Sequence, residues 1–209
     1  MLKRKNIVVC MLMTAGCLWM IFFIILLEDK VLNPGDRFRD EYALSDDIEY
    51  FPVARSTNDS TPYVYYENSW GDARTYGGER KHEGIDILAI ENISGKYPVV
   101  SMTDGIVENK GWLELGGYRV GIRSKNGGYF YYAHLDSYAD DIIEGGRVRA
   151  GQLLGYMGNT GYGPEGTTGM FDVHLHIGIY ITNKNGEEKS INPFPYLNEI
   201  SKKTIKYKY

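Results

Sequence analysis

Cysteine is almost absent from this chain of 209 residues, and the two present, Cys10 and Cys17, both lie in one N-terminal apolar run. The rest of the chain therefore has no disulfide framework and no cysteine-ligated zinc site. Any metal ion bound there must be held by histidine and carboxylate side chains. An excess of positive charge is also lacking, because the formal net charge is −4, and we expect no nucleic-acid partner.

Charged residues are missing from residues 7–27. At about 1.5 Å per residue, a helix over this apolar run spans roughly 30 Å, the thickness of a bilayer core. Residues 3–5 are basic and residues 28–29 are acidic, which predicts a cytoplasmic N-terminus and an extracytoplasmic C-terminal part. A cleavable signal is the competing interpretation, and residues 14–17 faintly resemble a lipoprotein cleavage site. Because the run is long and stays apolar after Cys17, we predict an uncleaved, single-pass anchor in the cell membrane.

The anchor separates a short cytoplasmic N-terminus, residues 1–6, from about 180 residues, enough for one domain with a sizeable core. Residues 28–63 are polar and interrupted by prolines, and they predict an extracytoplasmic stalk. Residues 64–197 contain short runs rich in Val, Ile and Tyr between glycine turns, which predict a mainly β domain. The Asn-Gly-Gly at 126–128 is a hairpin signal. Residues 198–209 form a basic tail.

Histidine is scarce too, and its placement is informative. The four histidines fall in three segments of the predicted domain: residues 82–86 (His-Glu-Gly-Ile-Asp), 132–135 (Tyr-Ala-His-Leu) and 174–176 (His-Leu-His). A catalytic zinc needs three protein ligands, commonly two histidines and a carboxylate, plus an open position for water. The set supplies three such ligands and leaves two histidines for proton transfer.

The spacing within these segments favours shared faces. Apolar residues alternate with polar ones over 173–181, so His174 and His176 project from one side of a predicted strand. That spacing suits one ligand and one neighbouring acid–base group. His82 and Asp86 are four residues apart and share a face of either a helix or a strand. Each of these two patterns alone is also common in surface ion pairs and in half-exposed strands. The occurrence of both patterns in one domain favours a metal site.

The order of the motifs resembles the lysostaphin/LytM-type peptidoglycan metalloendopeptidases. It runs His-x-Gly-x-Asp, then Tyr-x-His-Leu, then Gly-x-Thr-Gly before His-Leu-His. The resemblance implies a domain with an antiparallel β-sheet groove and one Zn²⁺ per chain on its floor. It also implies that His82, Asp86 and His176 are the metal ligands, and that His134 and His174 are catalytic histidines that do not bind the metal.

The resemblance covers about residues 70–197 and carries two further expectations. Tyr76 lies six residues before His82, where some members carry a tyrosine that faces the developing oxyanion. Residues 162–173 are longer than the usual link between the Thr-Gly turn and His-Leu-His, and we expect them to reshape a wall of the groove.

Together these observations predict a membrane-anchored, extracytoplasmic zinc metalloendopeptidase, a hydrolase of the peptides of bacterial cell-wall peptidoglycan. Its partners would be the peptide substrate and, through the N-terminal helix, the cytoplasmic membrane. One alternative is a non-catalytic wall-binding or scaffold protein of sporulation or cell division on the same fold. The complete ligand set favours the enzyme. Another alternative is an enzyme held inactive until a regulatory protein partner or a movement of the stalk opens the groove.

Overall fold

The computed structural model describes residues 44–58, 61–183 and 186–209. The predicted anchor at residues 7–27 lies outside these ranges, as does the first part of the predicted stalk, residues 28–43. Within the described ranges, no helix is long and apolar enough to cross a membrane. The anchor therefore stays a prediction.

The described residues form mainly short strands, with four longer ones of eight to ten residues. The strands are Arg55–Ser56 (β1), Val64–Tyr65 (β2), Ala73–Arg74 (β3), Arg80–Lys81 (β4), Ile85–Ala89 (β5), Pro98–Val100 (β6), Gly105–Leu113 (β7), Gly117–Ser124 (β8), Tyr129–Tyr138 (β9), Arg147–Val148 (β10), Leu153–Met157 (β11), His174–Thr182 (β12), Glu188–Ile191 (β13) and Lys206–Tyr207 (β14). One helix, Phe194–Ile200 (α1), follows β13. The prediction of a mainly β fold is confirmed.

One antiparallel sheet dominates, with the strand order β10-β7-β8-β9-β12-β5-β2. The β8–β9 hairpin turns at the predicted Asn-Gly-Gly sequence. There Gly127 has φ +89°, a left-handed conformation that glycine adopts without a steric penalty, and Ser124 N–H donates to Gly128 O at 2.8 Å. Strand β12 pairs with β5 on one side and β9 on the other. This order places the three histidine-containing segments next to one another.

The two faces of this sheet differ in chemistry. The inner face is apolar and its side chains are fully buried: Ile85, Ile87, Val120, Ile122, Phe130, Tyr132, Leu175, Ile177 and Ile179. Strand alternation puts Asp86, Arg119, Tyr131 and His176 on the opposite face. An antiparallel sheet with one buried and one accessible face can carry a polar site on a rigid floor.

Packing extends beyond residues 64–197 at the N-terminal side. The sequence predicts a stalk there, yet Leu44, Phe51 and Val53 are at most 2% exposed and belong to the core. These apolar residues have no strand or helix period, so their burial depends on contacts with residues far along the chain.

The predicted basic tail also joins the folded part. Strand β14 pairs in parallel with β1, and Arg55 N–H donates to Ile205 O at 2.8 Å. The ring of Tyr209 contacts Tyr97, and its hydroxyl donates to Ala54 O at 3.0 Å. The lysines remain at the surface while the tyrosines pack.

Candidate active site

Three of the predicted site residues converge on the accessible face of the sheet. Asp86 and His176 are direct partners in the β5–β12 register, and His82 lies just before β5. Asp86 Oδ1 lies 3.1 Å from His82 Nε2 and 3.0 Å from His176 Nδ1, and these two nitrogens are 2.9 Å apart. Cross-strand partners on one face approach most closely, so the register itself brings the carboxylate to the imidazole.

The donor set fits a divalent cation. Three atoms held about 2.0–2.1 Å from one tetrahedral ion lie roughly 3.3–3.4 Å apart, only slightly more than the distances found here. His82 Nδ1 lies 2.9 Å from Ser69 O, so a proton on Nδ1 leaves the Nε2 lone pair directed at the other two donors. Electron-rich atoms placed this closely require a proton or a cation among them. His82, Asp86 and His176 are the group that can hold a metal ion in the described residues.

Gly84, the central residue of the His-x-Gly-x-Asp motif, makes room for His176. A Cβ atom at position 84 would lie 2.6 Å from Cε1 and Nε2 of the His176 ring and 2.5 Å from Ile177 O. Atoms that are not bonded to each other do not approach so closely. The glycine is therefore a packing requirement of the His176 ring beside it, which the sequence motif alone does not reveal.

His134 and His174 lie beside this donor set, with ring centroids 4.7 Å apart. His134 Nδ1 is 2.7 Å from Thr160 O, and His174 Nδ1 is 2.8 Å from Asp172 O. A backbone carbonyl accepts only from a protonated nitrogen, so in the neutral form of each ring Nε2 carries the lone pair. His174 Nε2 lies 3.8 Å from Asp86 Oδ1. The structure thus brings all four histidines into one site.

A β-bulge aims His134 into the site. Between β8 and β9, Tyr118 pairs with Leu135 but Val120 pairs with Tyr132, so β9 has one extra residue at this point. His134 has φ +63°, uncommon outside glycine. A bulge redirects a side chain without interrupting the sheet, and bulges are frequent near active sites.

Burial and neighbouring groups shift the pKa values of His134 and Asp86. Burial lowers the pKa of His134 well below its ordinary value, and the charges of His174 and His176 add to this effect. Burial opposes ionisation of Asp86, but contacts with His176 and His82 outweigh it and hold the pKa of the Asp86 carboxyl below its ordinary range. A neutral base and an ionised ligand are the states that metal-assisted hydrolysis needs.

Arg74, which sequence reasoning missed, contacts the second oxygen of Asp86. Its Nη2 lies 3.2 Å from Asp86 Oδ2 and 3.0 Å from His82 Nδ1. Because Nδ1 of His82 donates to a carbonyl, we assign the arginine hydrogen bond to Asp86, which leaves Oδ1 directed at the two histidines. Arg74 belongs to the two-residue strand β3 and to no motif, so no local signal marks it.

Tyr76 packs against Tyr162. Its hydroxyl donates to Tyr162 O at 2.5 Å, and its ring stacks on Tyr162 with centroids 4.2 Å apart. Tyr162, rather than Tyr76, contacts the His134 ring, at 6.2 Å between centroids. The role of Tyr76 as an oxyanion donor stays a prediction.

The long link at residues 162–173 forms an aromatic wall. Phe171 packs against the rings of His134 and His174, with centroids 4.7 and 4.9 Å away, and Tyr162 packs against Phe171 at 4.8 Å. Trp112 Nε1 donates to Gly163 O at 3.2 Å and attaches the wall to β7. The wall restricts the rotation of both histidines and shields one side of them from water.

The site lies in a groove of about 680 Å³. Charged side chains of both signs line it, namely Arg74, Arg80, Lys81, Arg119, Glu83, Glu114 and Glu188. An open groove with a polar floor suits an extended peptide better than a small apolar ligand.

A groove floored by a His-Asp-His donor set with two further histidines is the arrangement of a metal-dependent hydrolase. The chain belongs to peptidase family M23, whose family profile matches residues 80–193.

The chain is similar to named endopeptidases. It is 48% identical over 132 residues to the L-Ala–D-Glu endopeptidase of Bacillus subtilis, covering 63% of this chain and 39% of that protein. It is 30% identical over 118 residues to lysostaphin of Staphylococcus simulans, covering 56% of this chain and 21% of that protein. The chain thus spans less than half of the length of either relative.

A solved structure has the same fold. It is a putative glycyl-glycine endopeptidase, lytM, from Ruminococcus gnavus, 47% identical with a TM-score of 0.76, and the match covers 88% of this chain and 74% of that chain. The expectation of a LytM-like fold is therefore confirmed.

Proposed function

We propose that this chain is a zinc endopeptidase that hydrolyses peptide bonds of bacterial cell-wall peptidoglycan. The observation that carries the proposal is the convergence of His82 Nε2, Asp86 Oδ1 and His176 Nδ1 within 2.9–3.1 Å, next to two histidines with free Nε2 atoms. Membership of a peptidase family and similarity to relatives named for L-Ala–D-Glu and glycyl-glycine bonds support the reaction and the substrate class.

The ligands would be His82, Asp86 and His176, holding one ion per chain. Zinc bound there would supply Lewis acidity toward the scissile carbonyl and toward water. Arg74 is a positioning residue, because its hydrogen bond to Oδ2 fixes the Asp86 carboxylate with Oδ1 toward the histidines. Outer contacts of this kind orient ligands and raise metal affinity.

Proton transfer falls to His134 and His174. In its neutral form each presents an unprotonated Nε2, and the lowered pKa of His134 keeps the His134 ring neutral at physiological pH. The pair can accept the proton of the attacking water and return a proton to the leaving amine. The carbonyl contacts and the aromatic wall hold both rings in place, so the reaction loses little entropy in orienting the two histidines.

Digestion of purified sacculi by the full-length, zinc-loaded protein tests the proposal. We expect soluble fragments with new peptide termini, identified by mass spectrometry, and none after a chelator removes the metal. The proposal that the protein is an enzyme would be wrong if His134→Ala kept full activity, or if the zinc-bound wild type left the sacculi intact. A wall-binding scaffold would then be the better explanation.

We also propose that residues 7–27 anchor the protein in the cytoplasmic membrane with the peptidase outside. The length of the apolar run and the basic residues before it support this topology. Protease treatment of intact protoplasts should degrade the peptidase part. A protected domain, or a mature chain that starts after residue 27, would contradict it.

A further inference from the structure

Arg119 lines the same groove as the histidines but has no part in the chemistry described above. It lies on β8, opposite the bulge that contains Ala133 and His134. Its neighbour Val120 is fully buried on the inner face, so Arg119 belongs to the groove face. Both its N–H and its C=O contact the hydroxyl of Tyr138, at 3.1 and 3.3 Å. The backbone that carries the guanidinium is therefore firmly placed.

The guanidinium of Arg119 lacks an acidic partner among the described residues. Its Nε and Nη1 atoms are buried and make no hydrogen bond. Arg123, four residues further along the same face, shows the opposite case. It lies 2.6 Å from both Glu108 and Glu188 and so is fully paired. Arg119 as a whole is half-buried, but N–H groups that are buried without a partner are unfavourable, so the position of its side chain needs an explanation other than folding.

Tyrosines around Arg119 do not neutralise it. Burial raises the pKa of Tyr129 and Tyr131, and the charge of Arg119 opposes that rise without cancelling it. Both hydroxyls therefore stay protonated near neutral pH. Tyr131 also contacts the His176 ring, with centroids 5.9 Å apart.

We propose that Arg119 binds a carboxylate of the peptide substrate that is not part of the bond being cut, and so makes the enzyme selective for acidic peptides. A guanidinium carries its N–H donors in one plane, in a fork that matches the two oxygens of a carboxylate, and binding would turn the Nε and Nη1 groups, buried in this structure, toward the groove. The inference rests on the proposed function, because it names a specificity determinant of that same groove. The carboxylate belongs either to an acidic residue within the peptide or to its C-terminus.

The test measures peptide binding apart from hydrolysis. The probe is a synthetic wall peptide with one glutamate, prepared unmodified, with the free glutamate carboxylate amidated, or with the C-terminal carboxylate amidated. Binding is measured by calorimetry to full-length, zinc-loaded protein in the His134→Ala background, which should slow turnover by about 10²–10⁴-fold. Arg119→Met should weaken binding of the unmodified peptide by about 10- to 100-fold, the range for hydrogen bonds to charged groups. One amidated form should bind weakly to both proteins, and that form identifies the carboxylate.

Arg123→Met is the matched control, because it removes the same charge from the same strand face. We expect it to leave peptide affinity within about two-fold, since Arg123 is already paired. Arg119→Met should also keep or raise the melting temperature, whereas a structural role predicts a lower one. In the His134 wild-type background, Arg119→Met should raise KM with little change in kcat.

Equal affinity for all three peptides, or equal weakening by Arg119→Met and Arg123→Met, would overturn the assignment. Failure of the proposed function gives a different pattern. In that case the wild-type protein cuts no peptide, while binding still depends on Arg119 and on one carboxylate.

Discussion

Replacement of Gly84 by alanine should weaken both metal binding and the fold. The new Cβ would lie 2.6 Å from two atoms of the His176 ring, about 0.8 Å inside ordinary contact distance. The nearest atom, Ile177 O at 2.5 Å, is backbone of the central strand β12 and cannot move aside cheaply, so the chain at position 84 must shift as well as the His176 ring. The His176 ring must therefore shift or rotate, and its Nδ1 leaves the position 3.0 Å from Asp86 Oδ1.

Two magnitudes follow from this displacement. Overpacking of a well-packed site costs about 1–3 kcal/mol of folding free energy. Disturbed orientation of a ligand lowers metal affinity by about 10- to 100-fold, and we expect the upper part of that range because a ligand itself moves. Zinc affinity is measured by competition with a chromophoric chelator, and stability by denaturant unfolding of the metal-free protein.

Ile179→Val is the matched control for general destabilisation. Ile179 lies on β12 but on the buried inner face, and its truncation costs about 0.5–1.5 kcal/mol without a contact to His176. It should leave zinc affinity unchanged. Wild-type affinity in Gly84→Ala, or equal affinity losses in both variants, would refute the argument.

Four further outcomes are expected for the same site. His134→Ala should lower hydrolysis by about 10²–10⁴-fold while fold and zinc content stay intact, as measured by steady-state kinetics and elemental analysis. Because burial lowers the pKa of His134, the ring stays neutral when the pH falls below 6.5, the ordinary pKa of histidine. In a pH–rate profile the rate should therefore drop only at more acidic pH. Arg74→Gln should lower zinc affinity by about 10-fold in chelator competition, through the freed Asp86 carboxylate. Tyr76→Phe tests the oxyanion role, since a donor to the oxyanion is worth about 10²-fold or more in kcat, whereas loss of the bond to the wall alone changes kcat by less than about ten-fold.

The sequence predicts those parts of the site that depend on local spacing. Alternation over 173–181 places His174 and His176 on one face, and the structure shows this strand as β12. The Asn-Gly-Gly turn predicts the β8–β9 hairpin because only a few residue types adopt its conformation. His82 and Asp86 are recognisable because they share one short motif.

Features that depend on distant contacts are invisible to the same reasoning. Arg74 reaches Asp86 from a two-residue strand, and the bulge at His134 shows only in the register between two strands. The packing of Phe51 and the pairing of Lys206 beside Arg55 join the two ends of the described chain. No period marks these contacts, because each end contributes only a few apolar residues to a core formed by others.

The division of the histidines into ligands and proton carriers is the central claim, and elemental analysis of three purified full-length proteins tests it most directly. Wild type and His134→Ala should each hold one zinc ion per chain, and His176→Ala should hold far less under the same conditions. A wild-type protein without zinc, or His134→Ala that loses its zinc as His176→Ala does, would contradict the account.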